Sequence, residues 1–266
     1  MDGPRDAGEL NELLLAAGSA VDLGRRLLVH GRSHVGGLIA QGDRDYAIRV
    51  DVQIENEIKA ALGETDAGIP FLGRETGGSL DRGRMWVLDP IDGTTNFING
   101  SPLCAISLAL LEAGQPVLGI VDIPLLDERF VARAGAGAYL NGMRLHAADV
   151  TRVDDAVVAI ADFAAADDRD WENLLHMTVL RRIAPRALGV RAHGCAALDL
   201  AWVAAGRLGA SIMLSNRSWD VSAGVLLVRE SGGEVYDLDG SDHDLDSRCT
   251  LASLPGLKAH LLSLMP

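Results

Sequence analysis

Twelve residues, Met85–Asn96 (M-W-V-L-D-P-I-D-G-T-T-N), constrain this chain more than any other stretch. Met85–Leu88 is an unbroken apolar run and reads as a buried strand. It delivers two carboxylates, Asp89 and Asp92, followed at once by Gly93 and a Thr-Thr-Asn cluster. Strand, acidic loop and helix start within so few residues suit the holding of a hard cation beside a phosphate. Carboxylate and backbone oxygens are the ligands Mg²⁺ takes, with water and phosphate completing its shell. Gly93 allows a tight turn under a ligand. Thr94 and Thr95 place hydroxyls and free N–H groups at a helix N-terminus, which favours an anion. The same residues also suit an ordinary strand ending in a capped turn.

Charge bears on that choice. The chain carries a formal net charge of −13 and no Lys/Arg-rich run, which argues against a nucleic-acid surface. An acidic protein repels phosphate unless bound divalent cations reverse the local sign. Acidic charge and phosphate chemistry are therefore compatible only with metal present. Cys104, Cys195 and Cys249 are odd in number and far apart, with no C-x-x-C pair, so neither zinc nor a disulfide framework is expected. The first residues lack the basic and apolar regions of a signal peptide, and no segment approaches the ~18 apolar residues of a membrane span. The expectation is a cytoplasmic protein with no membrane or nucleic-acid partner.

Along the chain, Leu10, Leu13, Leu14, Ala17, Val21 and Leu28 fall at helical spacing. A polar loop over 31–45, a short strand over Tyr46–Val50 and a helix over Asp51–Leu62, ended by Gly63, are expected next. Residues 63–84 read as loop. Leu103–Leu111, Val117–Asp122, Phe130–Arg133 and Ala138–Leu140 read as an antiparallel meander, with Asn141-Gly142 as a hairpin turn. Trp171–Ile183 and Cys195–Ala205 read as helices, Val157–Ala161 and Ala210–Leu214 as strands, and Val221–Ser231 as a final amphipathic helix ended by Gly232-Gly233. The uneven alternation predicts a mixed α/β (α+β) chain, a single domain over 1–266 with approximate halves 1–148 and 149–266.

Further residues could carry chemistry. Glu75 sits in a Gly-bracketed loop ahead of the acidic segment. Asp220, after Trp219, reads either as an N-cap or as a further carboxylate presented by a helix start. Asp45 and Asp51 flank the expected strand; either suits a cap, and Asp45 is the better candidate for accepting a proton from a threonine hydroxyl. His193 and His146 lack partners at metal-ligand spacing. Cys195 has no base nearby in sequence and makes a poor nucleophile.

Three motifs together resemble the inositol monophosphatase family of Mg²⁺-dependent, Li⁺-sensitive phosphatases, from about residue 8 to residue 260. Gly73-Arg74-Glu75-Thr76 matches a G-E-E-like element. Trp86 to Phe97 matches W-x-x-D-P-[ILV]-D-G-T-x-N-[FY] throughout. Trp219-Asp220-x-x-Ala223-Gly224, continuing to Glu230-Ser231-Gly232-Gly233, matches W-D-x-A-A-G…E-A-G-G. The resemblance implies a layered αβαβα sugar-phosphatase fold with mixed and antiparallel sheets, and a homodimer. It implies two to three Mg²⁺ per site, held by Glu75, Asp89, the Ile91 carbonyl, Asp92 and Asp220. Phosphate would lie on the metals and on Gly93, Thr94 and Thr95. A water activated with help from Glu75 and Thr94, with Asp45 behind Thr94, would attack phosphorus, and a second water near Asp220 would protonate the leaving alkoxide.

The segment Arg191–Ala197 matches R-x-x-G-[ST]-A-A, so Arg191, Gly194, Cys195 and Ala196 should line the substrate side, with Asp92 and Asp220. Three departures concern the substrate. Ile48 replaces a common Thr, a lysine usual before Asp45 is absent, and Met213 stands where inositol-specific members carry a hydroxyl-reading glutamate. Inositol-1-phosphate remains the leading expected substrate. Histidinol phosphate, fructose-1,6-bisphosphate and 3′-phosphoadenosine nucleotides are alternatives, and a non-catalytic regulatory protein on the same scaffold is the alternative outside the class.

Overall fold

The computed structural model describes residues 7–33, 41–66, 68–80, 82–163 and 170–266. Two long helices open the chain, α1 (Ala7–Arg32) and α2 (Gln41–Thr65). They pack on one face of a seven-stranded sheet of β1 (Phe71–Gly73), β2 (Met85–Asp92), β3 (Ala105–Glu112), β4 (Gln115–Ile123), β5 (Glu128–Arg133), β6 (Gly137–Leu140) and β7 (Met143–Arg144), in that spatial order. Among the described residues of this sheet only β1–β2 is parallel; the rest is an antiparallel meander. The turn between β6 and β7 is Asn141-Gly142 with both residues at positive φ, the mirror-image turn that hairpin twist demands.

The second sheet runs β11 (Glu234–Tyr236), β12 (Thr250–Ser253), β10 (Ala210–Met213), β8 (Val157–Ile160), β9 (Gly189–Arg191). Between the sheets lie α5 (Ala196–Ala204) and α6 (Ser218–Ser231), whose apolar side chains pack on β3–β6 on one side and on Ala159, Met213, Val235 and Ala252 on the other. Outside the second sheet, α4 (Asp170–Ile183) and α7 (Lys258–Ser263) contribute Val179, Ile183 and Leu261 to a separate core. A short helix α3 (Thr94–Asn99) follows β2 directly. The layers are thus α, β, α, β, α.

Several expectations need correction. Tyr46–Val50 is not a strand but lies within α2. Ala47 and Val50 are buried while Ile48 is 51% exposed, so the apolar contacts fall at spacing three and four with Ile54, Ile58 and Leu62, not at spacing two. Gly63 lies inside α2 rather than ending it, with open space around it. The stretch read as loop holds β1. The helix Val221–Ser231 is neither amphipathic nor final: it begins at Ser218, is buried on nearly all sides between the sheets, and is followed by β11, β12 and α7.

The α5–α6 contact is close because Gly224 carries no side chain; a Cβ there would stand 2.4 Å from the Leu200 Cβ. Gly224→Ala is expected to cost about 1–3 kcal/mol in urea denaturation. Gly18→Ala on α1, where a methyl meets no atom within 4 Å, is expected to gain about 0.4–1 kcal/mol. Equal effects of the two substitutions would contradict this packing.

Candidate active site

All eight residues of β2 are buried, and the pleat sends them alternately to two faces. Trp86 and Leu88 pack with α1 and α2, whereas Met85 and Val87 pack with Trp219 at the start of α6. Asp89 continues the second series and so points towards α6. Between Asp89 and Asp92 the pairing with β3 shifts register, and the chain leaves the sheet through Gly93 at φ 84°. A Cβ on Gly93 would come within 2.8 Å of the Leu103 carbonyl, so the turn requires glycine.

Each carboxylate is held by particular partners. The Ile91 N–H donates to Asp89 Oδ1 at 3.1 Å. Asp92 Oδ2 accepts from the Ala197 N–H at 2.7 Å and from the Cys195 thiol at 3.2 Å, so a strand residue caps α5. Burial and then Asp92 push the Cys195 thiol well above its usual range, which keeps it a donor rather than a nucleophile. Asp220 lies in the first turn of α6, where Arg217 rather than Asp220 occupies the N-cap position. Its carboxyl lines the same cavity as Asp89 and Asp92; burial and then the Asp92 charge raise it above the usual carboxylate range.

Arg74 is the group that sequence reasoning missed. Its Nη1 stands 3.2 and 3.3 Å from the two oxygens of Asp89, 3.1 Å from the Ile91 carbonyl and 3.2 Å from Thr94 Oγ1. The Thr94 hydroxyl itself donates to Ile91 O at 3.0 Å. Burial disfavours the Arg74 charge, but Asp89 and Asp51 overcome it and the guanidinium pKa is raised. The loop that carries Arg74 is anchored by the buried Glu55 carboxylate of α2, which accepts from the N–H groups of Glu75 (2.9 Å) and Thr76 (2.8 Å) and from the Thr76 hydroxyl. Gly73 permits this approach: a Cβ would lie 2.0 Å from Glu55 Oε1. The signal was present, because the first acidic position of the G-E-E-like element holds an arginine.

Of the residues expected at the site, Asp89, Asp92 and Asp220 come together, with Gly93, Thr94 and Thr95 beside them. Glu75 does not join them: its carboxylate lies 3.6 Å from Arg74 Nε, outside the cavities at the site. The Ile91 carbonyl is taken up by Arg74 and Thr94. Arg191 is exposed at the end of β9, bonds the Val190 carbonyl and lines neither cavity. Gly194, Cys195, Ala196 and Met213 do line the site. Asp45 falls on α2, but its side chain is outside the described residues. Asp51, read as a cap, is instead buried (1% exposed), with Oδ1 lacking a hydrogen-bond partner among the described residues.

Two adjoining cavities share Asp92, Gly194, Arg217 and Asp220. One, of about 220 Å³, is enclosed by Arg74, Asp89 and Gly93–Thr95. The other, of about 240 Å³, is lined by Asp162, Ser215, Met213, Val221 and the start of α5. Among the described residues no three His, Cys, Asp or Glu side chains form a ready metal cage. The donor types nevertheless suit a hard divalent cation, because the carboxyls of Asp89, Asp92 and Asp220 line one cavity.

A family model for the inositol monophosphatase family matches residues 10–265. A protein named inositol-1-monophosphatase ImpA, from Mycolicibacterium smegmatis, is 36% identical over 99% of this chain and 95% of its own length. A protein named Nus factor SuhB, from Pseudomonas aeruginosa, is also 36% identical, over 95% of this chain and 96% of its own. The solved structure of an inositol monophosphatase from Anabaena (Nostoc) sp. PCC 7120 matches at a TM-score of 0.86 and 27% identity, covering 96% of each chain.

Burial, followed by neighbouring carboxylates, pushes Asp51 up to about 9 and Asp92 and Asp220 up to about 7; burial, opposed by Arg74, leaves Asp89 at about 8. The folded chain therefore keeps protons that the unfolded chain releases above pH ~4. The contribution of these four groups to the stability of metal-stripped protein is fully present below pH ~4 and declines as pH rises through these values. The urea midpoint of that protein is expected to fall between about pH 5 and about pH 9, less steeply in Asp51→Asn. A flat or rising midpoint would contradict the assignment.

Proposed function

The chain belongs to the inositol monophosphatase family of phosphoric monoester hydrolases, and on that premise we propose that it hydrolyses a small polyol phosphate, inositol-1-phosphate first, with the aid of Mg²⁺. The observation that carries this reading is the pair of adjoining cavities, one walled by charged and N–H-bearing groups, the other by a mixture of Met213, Val221, Asp162 and Ser215. A phosphate ester has the same division into an anionic end and an alcohol end.

Asp89, Asp92 and Asp220 would hold the cation. When bound, Mg²⁺ neutralises phosphate charge and makes a nearby water more acidic. The chain's own groups then orient the ester. Thr94 and Thr95 open α3, and the helix leaves their N–H groups unused, free for phosphate oxygens. Arg217, exposed and common to both cavities, supplies a positive charge at their junction, where an ester spanning the two would place its bridging oxygen. Asp220 stands at the same junction and orders the water that protonates the departing alkoxide. Asp162 and Ser215 are the polar groups left to read substrate hydroxyls, because Asp199 is bonded to His193 at 2.6 Å and Met213 is apolar.

A second reading, a regulatory role without catalysis, draws on the relative named a Nus factor. Inorganic phosphate release separates the two. With Mg²⁺, release from inositol-1-phosphate is expected to exceed that from histidinol phosphate, fructose-1,6-bisphosphate and 3′-phosphoadenosine-5′-phosphate. Asp92→Asn is expected to lower it by about a hundredfold or more, with the fold retained. A preference for another ester changes the substrate. No release from any ester favours the regulatory reading.

A further inference from the structure

We propose that the Arg74 guanidinium is a built-in cation that fills one of the metal positions, so that each site binds one divalent cation, at Asp89, Asp92 and Asp220, rather than two to three. The inference rests on the reading of this site as a cation-assisted phosphatase and goes beyond it in naming how many ions the site takes and why.

Nη1 of Arg74 carries two hydrogens, yet four oxygens surround it at 3.1–3.3 Å. Four full hydrogen bonds are not available to it, so the contact is a positive charge seated in an oxygen cage. The cage is made of both oxygens of a buried carboxylate, a backbone carbonyl and a hydroxyl, which is a donor set for a hard cation. Mg²⁺ in that cage would need these oxygens at about 2.0–2.1 Å, and the guanidinium occupies the space. The arginine is also not free to drift out. Its loop is clamped by Glu55 through two backbone N–H groups and the Thr76 hydroxyl, and its Nε faces Glu75 at 3.6 Å.

Charge gives an independent argument. Asp89, Asp92 and Asp220 carry three negative charges when ionised. One guanidinium and one divalent ion balance them. A second divalent ion beside Arg74 would place excess positive charge in a buried pocket, which burial penalises. Arg217 then remains for the phosphate.

The test is a Mn²⁺ titration of the metal-stripped full chain, reading free ion by electron paramagnetic resonance. The expected result is one Mn²⁺ per chain in the wild type, none in Asp220→Asn, and two in Arg74→Glu, which replaces the resident cation by a further ligand. Arg74→Ala vacates the cage without adding charge and is expected to gain a weaker second ion; it serves if Arg74→Glu fails to fold by circular dichroism. No ion or two or more ions in the wild type overturns the proposal, as does a count that stays at one in a folded Arg74 variant. Phosphate release is read separately on the same preparations. Release with two ions in the wild type defeats this inference alone, and one ion without release defeats the phosphatase reading alone.

Discussion

Two aspartates on a fully buried strand set the terms for everything near them. Asp89 and Asp92 are carried on β2 by the same pleat that buries Trp86 and Leu88, so neither can be solvated as a surface carboxylate would be. The surroundings supply compensation from four directions: the N-terminus of α5, the Cys195 thiol, the Ile91 N–H and the Arg74 guanidinium. Each compensator constrains a distant part of the chain. Capping of α5 by Asp92 ties the middle helical layer to the first sheet. Arg74 can serve only because Glu55 holds its loop and Gly73 lets Glu55 approach.

The helix that completes the cluster depends on packing rather than on local preference. Asp220 reaches Asp89 because Trp219 packs on Leu72, Met85, Val87 and Leu111, and because Gly224 lets α6 lie close against Leu200. The same burial leaves Arg217 at the N-cap position, on the rim shared by the two cavities. Structure and chemistry are therefore linked through one helix sandwiched between two sheets.

Much of this was legible in the amino-acid order. The apolar run before Asp89, the Asn141-Gly142 turn and the antiparallel meander announce themselves through periodicity and turn chemistry. The Asp-Pro-Ile-Asp-Gly-Thr-Thr segment and Trp219-Asp220 identify the site because their spacing is specific. What escaped has physical causes. Tyr46–Val50 alternates over five residues, and only the burial of Ala47, Val50 and Ile54 on one face shows that a helix wins. Asp51 looks like a cap until α2 is continuous, whereupon it and Glu55, four residues on, fall on the face turned towards the Arg74 loop. Glu75 stands out in the sequence because carboxylates bind metals, whereas the cage geometry that makes Arg74 suitable is a tertiary property.

The site thus pairs one divalent cation, at Asp89, Asp92 and Asp220, with an arginine that holds the neighbouring oxygen cage. An anomalous difference map from crystals grown with Mn²⁺ and phosphate tests this pairing most directly. A single peak bounded by Asp89, Asp92 and Asp220 is expected, with Arg74 still on the Ile91 carbonyl and Thr94. A second peak inside that cage, with the Arg74 side chain displaced, would contradict it.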